Sequence, residues 1–394
     1  MRYTGTVVRG IRTGIIKEHD PLADIVVNSI ISASKEEGFT IKDKDIIGIT
    51  EAVVGISEGN YAKVDDIVKC LEKKIPKDNI GVVFPILSRN RFALILKAIA
   101  RYSKHITLQL SYPYDEVGNG IMDKDTYYNY KLNHNNELIS EEDYNTYFSN
   151  YIHPFTGINM VSFYRDLITS ENATVEFIFS NDARSILKYT DTVIASDIHS
   201  RFDTKEKLKD AKIILGLDDI LNEPICGSGY NHKYGLLGSN RATEEKLKLF
   251  PKNGDILIKE IHDKMYKLTG KNIEVMVYGD GAFKDPVGGI WELADPVVSP
   301  FYTKGLEGTP NELKLKYLSD NKFSNLHGSS LLSAVKQEVR NKDNNLKGKI
   351  ETQGTTPRRI TDLVGSLCDL TSGSGDKGTP VVYIQGYFDN IAND

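Results

Sequence analysis

The chain has 394 residues, more than one compact core usually holds, so two domains or one domain with a large insertion are expected. Hydrophobic residues at 40% and charged residues at 26% exclude a disordered chain, and a net charge of −5 argues against general nucleic-acid or anionic-membrane binding. Three scattered cysteines, Cys70, Cys226 and Cys368, form no metal ladder and fit a reducing cytoplasm; no stretch reaches the roughly 20 apolar residues that cross a bilayer.

The N-terminal segment MRYTGTVVRGIRTG lacks the apolar block of a signal peptide, so a cytoplasmic protein is expected. Asp20 and Pro21 open a helix whose Leu22, Ile25, Val26 and Ile30 share one face, and Gly38 closes it. Residues 45–50, DIIGIT, read as a buried strand running into a glycine-containing loop, VVGISEGNYA. A strand at 79–84, a helix from Ser88 to Arg101 and a strand at 105–110 follow. Residues 112–172 are rich in Tyr, Asn and Asp with weak periodicity, and read as a loop-rich insertion. Strands resume at 174–180, 191–196 and 211–216. A helix at 255–268 leads into the strand IEVMVY (273–278), which ends at GDGAF. The last elements are a helix near 361–370, the loop TSGSGDKGTP and the strand VVYIQG. The alternation predicts a mixed α/β protein.

Four places invite chemistry. Gly373, Gly375 and Gly378 spell GxGxxG, but they precede a strand where the dinucleotide fingerprint follows one, and no P-loop is present. A Rossmann or P-loop reading is therefore excluded. What remains is a backbone nest for phosphates, with Asp376 beside it, or an ordinary solvated turn. Asp280 and Asp285 follow an apolar strand and offer hard oxygens to Mg²⁺ or Mn²⁺, or form a plain Asp-Gly turn. Thr50, Glu51 and Glu58 lie at a strand end and in its loop. Arg358 and Arg359 offer forked donors to phosphate or carboxylate, or pair with Asp362 on a surface helix. Asp197, His199 and Asp203 are close in sequence, but their alternate spacing is a weak metal pattern.

Four ordered blocks, covering roughly half of the chain, resemble the F420-0:gamma-glutamyl ligases. They are GIRTGIIKEHDPLADIVVNSIISASKEEGFTIKDKDIIGITEAVVGISEGNYA, YGLLGSNRATEEKLKLFPKNGDILIKEIHDKMYKLTGKNIEVMVYGDGAF, TTPRRITDLVGSLCDLTSGSGDKG and TPVVYIQG. The resemblance implies a ligase core from residues 1–67 and 231–394, with 68–230 as an inserted or divergent α/β region. It implies GTP (or ATP), Mg²⁺ or Mn²⁺, L-glutamate and a small carboxylate acceptor, joined through an acyl phosphate by a homodimer. By position, Arg12, Thr13, Gly14 and Ile15 match the family's nucleotide-contacting turn. Thr50 and Glu51 stand in its Ser-Lys place, and Gly373, Gly375 and Lys377 in its C-terminal loop. Asp280, Asp376 and Asn240 are the implied metal ligands; Asp280, Arg358 and Arg359 are the candidate catalytic residues. This sequence departs where the family has loop lysines: Glu51 and Gly55 stand there, and Gly281 replaces a threonine. A catalytically inactive ligand sensor or a metal-dependent hydrolase is the alternative that these departures raise.

Overall fold

The computed structural model describes residues 3–134, 137–154, 156–279, 283–284, 291–292, 299–352, 359–372 and 375–393. The chain begins with β1 (Val7–Ile11), α1 (Leu22–Glu37), β2 (Ile46–Thr50), α2 (Glu51–Ser57), β3 (Tyr61–Lys63) and α3 (Val64–Lys74). The middle runs through β4 (Asn79–Val83), α4 (Phe92–Tyr102), β5 (His105–Leu110), α5 (Lys124–Asn133), β6 (Leu138–Ile139), α6 (Glu141–Tyr147), α7 (Met160–Ser170), β7 (Thr174–Ser180), β8 (Thr192–Ala195), α8 (Arg201–Lys207) and β9 (Ile213–Gly216). The remainder contains β10 (Asn240–Arg241), β11 (Lys246–Lys248), α9 (Gly254–Thr269), β12 (Glu274–Tyr278), β13 (Phe283–Lys284), β14 (Trp291–Glu292), β15 (Phe301–Tyr302), α10 (Leu315–Tyr317), α11 (Gly328–Arg340), α12 (Ile360–Thr371) and β16 (Val381–Gln385).

Two larger sheets organise these elements. The first has the order β1-β16-β2-β12-β15 and joins the two ends of the chain. Its strands alternate by residue, as a pleated sheet requires. Ile47, Ile49, Val275 and Val277 face the apolar stripes of α1 and α9; Ile46, Met276, Val382 and Ile384 face Val364 and Cys368 of α12. Gly48 lets α12 come close, because a methyl there would collide with the Cys368 sulfur. Gly38, at φ 71°, ends α1 in the left-handed conformation that glycine tolerates.

The second sheet has the order β6-β7-β5-β4-β8-β9, parallel except for β6. Its strands are apolar almost throughout, because α3, α4 and α7 cover one face while Ala183, Ile186 and Leu208 pack on the other. The turn after β4, Phe84 to Ser88, contains no glycine, so the dinucleotide fingerprint is absent here too. A small sheet, β10-β11-β3, packs Ala62 and Leu247 into the core beneath the second sheet and reaches α2 through Lys248. The whole is a mixed α/β fold of neither Rossmann nor P-loop type.

Two sequence expectations change. The glycine-containing loop after β2 is the helix α2, because Val53 and Val54 gain a buried site on the first sheet's core. Gly55, normally unfavourable in a helix, lets α2 approach the Leu249 carbonyl, which a methyl would meet at 2.9 Å. The expected loop-rich segment 112–172 contains α5, β6, α6 and α7. Its helices start at side-chain caps, with Asp123, Ser140 and Asn159 each accepting a backbone N–H, and its tyrosines pack on one another and on Phe179 of β7.

Candidate functional site

The directions of four strands gather one edge of the first sheet. β2 and β12 run parallel with Tyr278 opposite Thr50, while β16 runs against both β1 and β2 with Val381 opposite Ile11 and Ile49. The carboxyl ends of β1, β2 and β12 therefore meet the entry to β16. Three side contacts tighten that edge. The Thr50 N–H donates to the Pro380 carbonyl at 3.0 Å, Gly10 packs against Thr379, and the Tyr278 hydroxyl bonds Ser372 at the end of α12.

A cleft of about 850 Å³ opens between this edge and α1. Arg12 and Thr13 line it from the turn after β1, Lys377 and Thr379 from the loop before β16. Asn28, Ser29 and Ser32 supply small polar groups from α1, and Glu36 a carboxylate. The neighbouring Glu37 is held by Arg9 at 3.0 Å, and Arg9 also stacks on Phe39. Among the described residues Arg12 and Lys377 make no ion pair. The Thr379 hydroxyl oxygen is buried without a hydrogen-bond partner among them. Two unspent cations and short hydroxyls form a wall suited to a phosphate chain.

A second cluster lies beside it at the start of α2. Glu51 is buried, and its carboxylate meets the Lys248 ammonium at 2.6 Å. Lys248 ends β11 and pairs in register with Asn240. A lysine from a distant strand thus neutralises the carboxylate at the start of α2.

The other sequence candidates divide clearly. Gly14 and Ile15 continue the Arg12 turn, and Ile15 is 90% exposed. Thr50 precedes α2 without capping it through its side chain. Gly375 and Asp376 are exposed in the turn that carries Lys377, where Gly378 at φ 64° bonds back to the Gly375 carbonyl. Arg359 is spent on Asp362 at 2.8 Å, the local helix pair. Glu58 accepts the backbone N–H groups of Lys252 and Asn253, each at 2.9 Å, and so anchors the approach to α9; burial nonetheless raises its carboxyl above the ordinary range. Asp197 accepts from Ser200 and Thr204, and Asp203 pairs with Lys207, so neither joins a metal cluster with His199. Asp280, Asp285, Arg358 and Gly373 lie outside the described residues.

Sequence reading missed Asn28, Ser29, Ser32 and Lys248. The first three had a signal: short polar residues on the side of α1 turned from its apolar stripe, where a solvated helix more often carries long charged ones. Lys248 had none, because its partner lies on another element nearly two hundred positions away.

The α/β core thus carries a polar cleft at its strand ends, with Arg12 and Lys377 among its lining residues. The chain belongs to the F420-0:gamma-glutamyl ligase family, whose model matches residues 10–386, the 68–230 segment included. No curated protein matches it. Membership makes a gamma-glutamyl ligase activity its general function and implies glutamate and an F420-type substrate. No described helix is long and apolar enough to cross a membrane. The nucleotide expected of this family fits the cleft's chemistry. The expected metal centre is not formed by the described residues: no group of three or more His, Cys, Asp or Glu among them is placed to hold an ion, with Asp376 exposed and Asn240 on a different sheet.

Proposed function

We propose that the chain is a nucleotide-dependent gamma-glutamyl ligase that joins L-glutamate to a small carboxylate through an acyl phosphate. The observation that carries this reading is the convergence of Arg12, Thr13, Lys377 and Thr379 on one cleft from opposite ends of the chain. In the proposed reaction an acceptor carboxylate oxygen attacks the γ-phosphorus of GTP or ATP and the nucleoside diphosphate leaves. The glutamate amine then attacks the acyl carbon, loses a proton, and expels phosphate. Arg12 and Lys377 hold the phosphates and offset the charge of the transferring group. The Thr13 hydroxyl and the α1 polar face fix its orientation. Metal dependence belongs to the same proposal, with Asp376 as the ligand offered by the described part of the C-terminal loop. So does the division into core residues 1–67 and 231–394 around 68–230, since the first sheet draws only on the former.

Thermal-shift titration with GTP, ATP and their diphosphates, with and without Mn²⁺, tests the reading, because a ligand of the native state raises its stability by mass action. A metal-dependent shift is expected. Arg12→Ala or Lys377→Ala should each weaken nucleotide binding by about 1.5–3 kcal/mol, the worth of a charged hydrogen bond. Nucleotide turnover should then require both acceptor and glutamate. Absence of any nucleotide shift sinks the proposal; binding without turnover marks an inactive sensor, and turnover indifferent to glutamate marks a hydrolase.

A further inference from the structure

The parallel strands of the second sheet are ordered β7-β5-β4-β8-β9, so the chain winds outward in both directions from β4. The order reverses between β4 and β8, and open sheets wound this way bind ligands beyond the carboxyl ends of their strands at such a reversal. Here the segment after β5 is stapled across it. Asp115 accepts the Leu87 N–H, in the turn after β4, at 2.8 Å. Glu116 accepts the Ile198 N–H at 2.6 Å and those of His199 and Ser200 at 3.2 Å, all in the turn after β8. The backbone nest that an anionic ligand would use is therefore filled by the chain's own carboxylate.

The same segment after β5 continues into the wall of a cavity of about 490 Å³. Tyr114, beside the two stapling carboxylates, forms one wall, and Tyr147, Phe148 and Tyr151 form others. Gly120 makes room for them: a methyl there would stand 2.9 Å from the Tyr151 hydroxyl oxygen and 3.2 Å from the Tyr114 ring. At the rim the Asp123 carboxylate is committed to the start of α5, taking the Thr126 N–H and hydroxyl at 2.9 Å each. The Lys124 ammonium stands 5.8 Å from the centre of the Tyr114 ring and makes no ion pair among the described residues. The volume suits a small ring system, aromatic walls favour a flat π face, and an unspent ammonium favours an acidic substituent.

We propose that this cavity is a second small-molecule site, which binds a planar aromatic acid of one or two fused rings. It is built on the second sheet and is separate from the nucleotide cleft of the first. Isothermal titration calorimetry on the full chain, with naphthalene-2-carboxylate as probe, tests it. Saturable binding with Kd below about 1 mM is expected, and cyclohexanecarboxylate and a naphthyl trimethylammonium salt should each bind roughly tenfold more weakly. Lys124→Met, at an exposed position, should weaken the acid roughly fivefold and leave the neutral methyl ester unchanged. Gly120→Ala should abolish probe binding while circular dichroism shows a folded chain; if that variant does not fold, Tyr147→Leu replaces it. Lys377→Ala should bind the probe as the parent does. The proposal is overturned by the absence of saturable binding up to about 5 mM, far above the expected Kd. It is equally overturned if the aliphatic or cationic analogue binds as well, if folded Gly120→Ala binds undiminished, or if Lys377→Ala loses the probe.

Discussion

Glu51 and Lys248 are each nearly removed from water, with side chains 7% and 6% exposed, and they meet at 2.6 Å. Such a pair gains little over two apolar side chains, since both ions lose hydration, but removal of Glu51 would leave the buried Lys248 ammonium without its carboxylate. Glu51→Ala should therefore cost about 3–5 kcal/mol in urea unfolding. Glu51→Leu combined with Lys248→Met should cost far less than the two single changes added together; additive costs would mean that the pair does not act as a unit. Asp115 presents a different balance. It accepts backbone N–H groups from Leu87, Val117 and Asn119, yet burial pushes its carboxyl up to about 6 from an unperturbed 3.8. Between those values the native state binds the proton more tightly than the unfolded chain, so stability falls as pH rises from about 4 to about 6. Burial also raises Glu58 and Asp197, so the diagnostic quantity is the difference between the parent and Asp115→Asn. That difference in unfolding free energy should change across pH 4–6 and level off above it; a flat difference would remove Asp115 from the titration.

Among the elements, α12 shows how closely packing is set. It lies on β2 and β12 with Cys368 directly over Gly48. Gly48→Ala should cost about 1–3 kcal/mol by overpacking, and Cys368→Ala in the same chain should recover most of it. A Gly48→Ala melting curve equal to the parent's would mean that α12 can move outward without loss. The strands and long helices of this layer were legible in sequence because a strand buried on both faces reads as a short continuous apolar run, as in Ile46 to Ile49, and the three-to-four spacing of Ile258, Ile261 and Met265 marks α9. α2 was not, since Gly55 and Gly59 read as loop signals; burial of Val53 and Val54 outweighs the local preference. The 112–172 helices were obscured because their partners are tyrosines, whose mixed character blurs the apolar pattern.

At the scale of the molecule, the last strand is central. β16 hydrogen-bonds to β1 on one side and β2 on the other, so the two ends of the chain close one sheet. Truncation after Gly378 would open both neighbours and remove Thr379 from the cleft. The truncated chain should lose the nucleotide-dependent thermal shift together with cooperative unfolding of the first sheet, read by near-ultraviolet circular dichroism. Retention of both would show that β1 and β2 can pair without it. The second sheet depends less on this closure, because its strands all come from residues 79–216 and their order is complete within that span.

By itself the sequence determined the α/β class, most strand positions, the exclusion of a glycine-rich dinucleotide turn, and the family. Each of these rests on local spacing or on ordered blocks, which a linear string preserves. It also picked out Arg12, Thr13 and Lys377, through the resemblance of their turns to those of the family. Only the tertiary structure decided that those turns share a cleft, that Arg359 is spent on Asp362, and that Lys248 stands against Glu51. It alone set the strand order that stretches Asp115 and Glu116 across the second sheet. Strand direction and register act between residues hundreds of positions apart, and contacts of that kind leave no periodic trace along the chain.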